Sequence, residues 1–262
     1  MREVGTGKAA IEIEGNRADV YVNRPEKRNA MSEDVLADLT QAFREVDAND
    51  DVWAVAFLGK GDVFCAGMDI DMMYEYDADQ HWELHQKVHE LFDTIGAMTT
   101  PVVVGIKKAA IAGAFELTLP ADFRILGEDA KYGVTEIKMG IYPGGGSTQR
   151  LPRLVGLGKA KEIVLRGDFI DPEEAERIGL VTEACPSGEV DERTREFADE
   201  LTERAPLGME RALEAFQHAF DDPLNRGLEV ERYLSKELFS TQDRIEGFEA
   251  WMGGRDPEFE RR

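Results

Sequence analysis

The sequence predicts an α/β fold with at least some parallel strand pairing in its first two thirds and an all-helical C-terminal third. Three observations carry this. VWAVAFLG (52–59) and VVVGI (102–106) are short, nearly continuous apolar runs, as expected of strands buried on both faces. Helical stretches separate the strand signals at the spacing of strand–helix–strand units. From about Asp191 the strand signals stop, and VDERTREFADELTERA, PLGMERALEAFQHAF and PLNRGLEVERYLSKELF follow as amphipathic helices divided by prolines. The chain therefore divides into residues 1–190 and a helical region, 191–262.

Each element has a local reason. AAIEIEG and RADVYVNR alternate apolar and polar residues around Gly15-Asn16, the pattern of a hairpin. Ser32 is placed to cap a helix running to about Val46, with Val35, Leu36, Leu39, Phe43 and Val46 as its apolar face. After the 52–59 strand, glycines and acids make a loop at 59–71. A helix over about 80–98, the 102–106 strand and a short apolar helix opening near Gly113 follow. DFRIL (122–126) is strand-like, PGGGST (143–148) is a tight turn, and GKAKEIVLRG is helical. No internal repeat, low-complexity tract or long linker interrupts the chain.

Charge restricts the partners. Among 262 residues, 53 Asp and Glu oppose 31 Lys and Arg, a formal net charge of −22. Nucleic-acid backbones and anionic membranes are both recognised by clustered cations, so neither is an expected partner. Self-repulsion of this size is relieved by salt, because at about 1 M the Debye length shrinks to about 3 Å. Adaptation to a salty, halophilic cytoplasm is the expectation. Cys65 and Cys185 are too few and too isolated for a disulfide framework, and MREVGTGKAAIEIEG has no apolar signal region, so a reducing, cytoplasmic location is expected. The most apolar stretch, Pro101 to Ala121, is interrupted by Lys107, Lys108 and Glu116 and reads as buried core.

Several chemistries lack their motifs. There is no phosphate-binding G-x-x-x-x-G-K-[ST], and Gly59-x-Gly61 lacks the third glycine of a dinucleotide fingerprint. Gly144-Gly145-Gly146-Ser147 does not continue into a hydrolase nucleophile elbow. His81, His85 and His89 share one predicted helix face, but the outer two lie about 12 Å apart along the axis, too far to share an ion. They read as a solvated or half-buried face, with a metal-binding pair as the minor alternative; no metal is assigned.

Glu116 stands out because nearly all its neighbours in Ala112-Gly113-Ala114-Phe115-Glu116-Leu117-Thr118-Leu119 are small or apolar. A carboxylate there costs several kcal/mol unless paired, hydrogen-bonded or protonated. It is either on a helix's polar stripe or a functional acid of raised pKa. Glu136, in TEIKMG, reads on its own as a surface loop acid. The loops Phe64-Cys65-Ala66-Gly67-Met68-Asp69-Ile70 and Ile111-Ala112-Gly113-Ala114 are rich in small residues, which let backbone N–H groups approach a ligand. Taken singly, each is more often a tight turn than an anion site.

Together these segments resemble the enoyl-CoA hydratase/isomerase (crotonase) superfamily from about Ile11 to Phe259. The likeness rests on Asn23-Arg24-Pro25-Glu26-Lys27-Arg28-Asn29-Ala30-Met31, on both small-residue loops with Glu116 and Ala121-Asp122, on Glu136 through Leu151, and on Asp243-Arg244-Ile245-Glu246-Gly247-Phe248. Any one segment is weak evidence, whereas five in the right order are strong.

The resemblance implies a spiral of ββα units carrying the active site in 1–190 and C-terminal helices in 191–262 that form a homotrimer or dimer of trimers. The substrate is then an acyl-CoA, with no separate cofactor. Backbone N–H groups of Met68 and Gly113 would bind the thioester oxygen, where charge develops in the reaction. Arg24, Lys27, Arg28 and Ala30, with Ala66, Asp69 and Ile70, would lie along CoA. Two acids at 116 and 136 point to a hydratase of trans-2-enoyl-CoA, Glu116 as base and Glu136 as principal acid. Alternatives are an isomerase, a hydratase specialised for branched or aromatic acyl groups, and a non-catalytic acyl-CoA-binding subunit. Asp71 and Gly254 stand where many relatives have lysine, Lys107-Lys108 replaces the usual Asn-Gly, and Ala112 and Ala114 stand where glycines are frequent.

Overall fold

A computed structural model describes residues Met1–Arg262. Seven strands form one sheet: β1 (Arg2–Val4), β2 (Ala9–Glu14), β3 (Arg17–Val22), β4 (Ala54–Gly59), β5 (Val102–Ile106), β7 (Phe123–Gly127) and β9 (Glu183–Cys185), in that order across it. The β1–β2–β3 pairings are antiparallel and those from β3 to β9 parallel. Two short strands, β6 (Ala109–Ile111) and β8 (Lys131–Gly133), make a second parallel ladder. The chain thus runs β5–β6 and then β7–β8, one strand of each pair in each sheet, and winds as the spiral expected.

Both faces of the large sheet are covered, which explains the uninterrupted apolar runs. Val55 and Phe57 pack with α1 (Glu33–Asp47) and α3 (Ala78–Gly96), while Ala54, Ala56 and Leu58 face α8 (Val190–Thr202) through Val190 and Ala198. α8 lies in the segment read as an appended helical region, yet it is part of this sheet layer. The helices beyond it are α9 (Pro206–Gln217), α10 (Leu224–Leu238) and α11 (Gln242–Gly253).

α8 also changes the reading of β3. The alternation in RADVYV suggests one wet face, but all six residues are buried. Asp19 accepts from Arg17 Nε at 2.7 Å and from Arg195 Nε at 2.6 Å, and Arg195 also donates to the Tyr21 hydroxyl at 3.1 Å. The polar half of the strand is thus paired beneath a helix rather than solvated.

Capping follows the local chemistry. The Ser32 side chain accepts from Val35 N–H at 3.4 Å, and Asp77 with Gln80 forms a capping box on α3. The expected 59–71 loop ends two residues early, because Asp69 caps a short helix, α2 (Ile70–Glu75), by accepting from the N–H groups of Asp71 and Met72. α4 (Gly113–Thr118) opens where expected. The remaining helices are α5 (Leu151–Val155), α6 (Leu157–Arg166) and α7 (Pro172–Arg177). No helix is long and apolar enough to cross a membrane.

Candidate active site

The site forms where the chain leaves the C-terminal ends of β4 and β5, the usual place for a ligand crevice in a parallel sheet. The two loops there are laced to each other. Cys65 N–H donates to Ala109 O at 3.2 Å, Met31 N–H to Gly67 O at 2.8 Å, and Asp69 N–H to Met31 O at 2.9 Å. Gly67 has φ +111°, and a Cβ there would lie 2.8 Å from Ile111 O, so only glycine permits this approach. Asn29 was not singled out from the sequence, yet it is fully buried and ties the 24–31 segment to the same loop, donating to Lys60 O at 2.9 Å and Val63 O at 2.7 Å.

This lacing sets Met68 beside Gly113. A Cβ built on Gly113 would be 3.2 Å from Met68 Cγ, and neither amide N–H donates within the chain. Two unengaged donors side by side, one at the first residue of α4, are suited to an oxygen that acquires negative charge. The residue before Gly113 is strained: Ala112 has φ +56° and ψ −124°, a conformation normally left to glycine.

Glu116 lies on α4 one turn further on, only 3 % exposed. Its Oε2 accepts from Gly145 N–H and its Oε1 from Ser147 N–H, both at 2.9 Å. The glycine-rich turn is therefore its receptor, and a Cβ on Gly145 would lie 2.8 Å from Oε2. Burial pushes the Glu116 pKa above the ordinary value, while the Ser147 and Gly145 amides and the nearby His89 charge oppose the rise.

Glu136 opens the short 3-10 helix Glu136–Met139 and is 6 % exposed, so it is not the surface acid its local sequence suggests. Burial pushes its pKa up to about 7; its own and the Thr135 backbone oppose this, and the charge of Glu116 adds to it. Its Oε2 and the Ser147 hydroxyl are buried with no hydrogen-bond partner. Two interacting carboxyls, both pushed up by burial, are arranged as a pair whose titrations are coupled.

The cationic segment is more self-neutralised than its sequence suggests. Arg24 turns inward to pair with Asp69 at 2.7 Å and donates to Ala30 O at 3.0 Å, since a largely buried guanidinium needs acceptors. Lys27 meets Asp71 at 3.4 Å in an exposed pair, and Arg28 is exposed without an ion-pair partner. Ala66 donates to Arg28 O at 3.1 Å, joining this segment to the Met68 loop, while Ile70 projects 73 % exposed from the first turn of α2.

α3 closes the other side. His85 lies against Gly144, where a Cβ would come within 2.5 Å of its ring, and Phe92 similarly lies 2.9 Å from a Cβ on Gly145. Arg150 donates to Asp93 Oδ1 at 2.5 Å and to Gly145 O at 3.3 Å, clamping the turn to this helix. These contacts, like the amides of Gly145 and Ser147, carried no sequence signal beyond the glycine run and the histidine spacing. No group of three or more His, Cys, Asp or Glu side chains is arranged to hold a metal ion.

Comparison with known proteins agrees with this geometry. The family model for enoyl-CoA hydratase/isomerase matches residues 12–262. The chain is 36 % identical to a probable mitochondrial enoyl-CoA hydratase 2 of Arabidopsis thaliana, over 91 % of this chain and 80 % of that one. It is 34 % identical to a crotonyl-CoA hydratase of Syntrophomonas wolfei, over 95 % and 96 % of the two. The structure of an enoyl-CoA hydratase from Bacillus anthracis superposes with a TM-score of 0.93 at 29 % identity, over 97 % of this chain and all (100 %) of that one. A spiral of this topology, a paired-amide loop junction and two buried glutamates accordingly place the chain in the enoyl-CoA hydratase/isomerase family.

Proposed function

We propose that the protein is an enoyl-CoA hydratase that adds water across the double bond of a trans-2-enoyl-CoA to give a 3-hydroxyacyl-CoA. The observation that carries this reading is the pair of buried, mutually interacting carboxyls, Glu116 and Glu136, beside the free amides of Met68 and Gly113. The thioester oxygen accepts from Met68 and Gly113 N–H. As negative charge moves onto it, these fixed donors stabilise the transition state more than the substrate, and one such donor is worth about 3–4 kcal/mol.

Glu116, oriented by two backbone amides, takes a proton from water as oxygen bonds to Cβ. Glu136, protonated in part at neutral pH, delivers a proton to Cα. Its unpartnered Oε2 and the Ser147 hydroxyl are available to hold the water. The two carboxyls and two amides supply the acid–base and electrostatic chemistry of the addition, and the CoA thioester enters as substrate.

CoA lies along Arg24 to Ala30 and Ala66 to Ile70. Exposed Lys27 and Arg28 meet its phosphates, whereas Arg24 acts through Asp69 by fixing the loop. A homotrimer, or a dimer of trimers, covers the apolar side chains that α9 to α11 and their loops expose, among them Phe216, Phe220, Phe239, Phe248 and Trp251.

The test is loss of the conjugated enoyl-thioester absorbance of crotonyl-CoA in molar salt, with Glu116→Gln and Glu136→Gln each removing most of the rate. Full activity in either variant removes that residue from the mechanism. Turnover of a 3-enoyl-CoA without water incorporation would instead identify an isomerase, and CoA-ester binding without turnover a non-catalytic subunit.

A further inference from the structure

The turn that holds Glu116 meets it with more than amides. Ser147, whose N–H donates to Glu116 Oε1 at 2.9 Å, is fully buried, and its hydroxyl has no hydrogen-bond partner. Covalent geometry keeps a serine Oγ within about 4 Å of its own nitrogen, so this hydroxyl is confined beside the carboxyl. Burial raises the Glu116 pKa, and the hydroxyl is close enough to oppose the rise together with the Ser147 and Gly145 amides and the His89 charge. The other charged groups around the turn are Glu136 of the 3-10 helix, which interacts with Glu116, and Asp93 of α3, paired with Arg150. A buried hydroxyl is seldom left idle, because it carries a donor and two acceptor sites that water would otherwise satisfy.

The amides of Gly145 and Ser147 fix where Glu116 sits, but an N–H only donates. Donors favour the ionised carboxylate and offer nothing to a carboxyl proton, which needs an acceptor. In the addition Glu116 passes through both states: an O–H bond of water breaks as its oxygen bonds to Cβ, and that proton goes to Glu116 while Glu136 gives one to Cα. Glu136 Oε2 is the other unpartnered acceptor here, but it belongs to the group that spends its own proton on Cα. We propose that the Ser147 hydroxyl is the positioning partner of Glu116 through this change, donating to the carboxylate and accepting from the protonated carboxyl. The inference rests on the hydratase reading. Rotation about Cβ–Oγ is the only movement required, and Ser147 itself gains and loses no proton. Donation to a charged group is the stronger of the two bonds, so on balance the hydroxyl favours the ionised form. It thereby helps to set the pH at which Glu116 becomes able to accept a proton from water.

The experiment compares kcat and KM for crotonyl-CoA from about pH 5 to 9 in wild type, Ser147→Ala and Ser147→Thr, at one salt concentration and with each melt checked for cooperativity. Ser147→Ala should lower kcat roughly threefold to thirtyfold with KM little changed, and should move the rising limb of the pH profile about 0.5–1 toward higher pH. Ser147→Thr keeps a hydroxyl on Cβ and should hold the limb at its wild-type position even where the added methyl lowers stability. If Ser147→Ala lacks a cooperative melt, Ser147→Cys replaces it; its weaker S–H donor should move the limb in the same direction. A limb that stays in place in Ser147→Ala, whether or not kcat falls, would assign the hydroxyl to packing and overturn the proposal. Displacement of the Ser147→Thr limb to match Ser147→Ala would overturn it equally. An inactive wild type would overturn the hydratase reading beneath, an outcome distinct from an active wild type whose variants keep its profile.

Discussion

Glu136→Gln should stabilise the protein at alkaline pH while removing its activity. The Glu136 pKa is raised from 4.5 to about 7, so between those values the native state binds more protons than the unfolded chain. Stability contributed by this group is therefore highest below about pH 4.5 and falls as pH rises through about 7. At ~1.4 kcal/mol per pKa unit the gap amounts to about 3 kcal/mol, and water reaching part of the site lowers this to about 2 kcal/mol. Glutamine cannot ionise and escapes the loss. Urea unfolding of wild type and variant at pH 5, 6, 7 and 8, at one protein and salt concentration, isolates the effect, because amide-specific packing changes are the same at every pH. The stability difference, variant minus wild type, should rise by about 2 kcal/mol from pH 5 to pH 8. A difference that stays flat or falls with pH would refute the argument that ionising this buried acid opposes folding.

Other perturbations have comparably direct readouts. Gly145→Ala places a methyl 2.8 Å from Glu116 Oε2 and 2.9 Å from Phe92; it should cost about 1–3 kcal/mol in urea melts and lower kcat by displacing the Gly145 amide. Ala112→Gly relieves backbone strain of about 1–3 kcal/mol against about 0.5–1 kcal/mol of added chain freedom, so the melting temperature should rise, and a lower one would show that Ala112 is not strained. With a net charge of −22, thermal stability should climb between about 0.1 M and molar salt as repulsion is screened; a flat or falling series would indicate an ordinary acidic protein.

How much of this was legible in the sequence differs residue by residue. Strands β4 and β5 were readable because burial on both faces leaves no alternation to misread. Glu116 was conspicuous for a local reason, since its small apolar neighbours make an unassisted carboxylate expensive. Glu136 had no such signal: its burial is set by tertiary packing of the 3-10 helix, including against α6, and not by its neighbours in the chain. The polar residues of β3 looked solvated because Arg195 and Asp199, their partners, lie 176 and 182 residues away from the residues they bind. The histidine spacing on α3 was visible, but the glycine turn that gives it a neighbour arrives from a distant segment. α2 was missed because six residues, IDMMYE, are too few to establish a helical period.

Glu116 is anchored by the main-chain amides of Gly145 and Ser147 rather than by side chains. Every amino acid except proline brings an amide, so at Ser147 this grip does not depend on the side chain, whereas at Gly145 it also requires that no Cβ be present. The Glu116 carboxyl can keep its orientation while exposed side chains around it drift. Exposed side chains such as those from Ile137 to Tyr142 are then free to change without loosening the hold on Glu116. The position of this carboxyl is thus written in the backbone path of the turn more than in the side chains the turn carries.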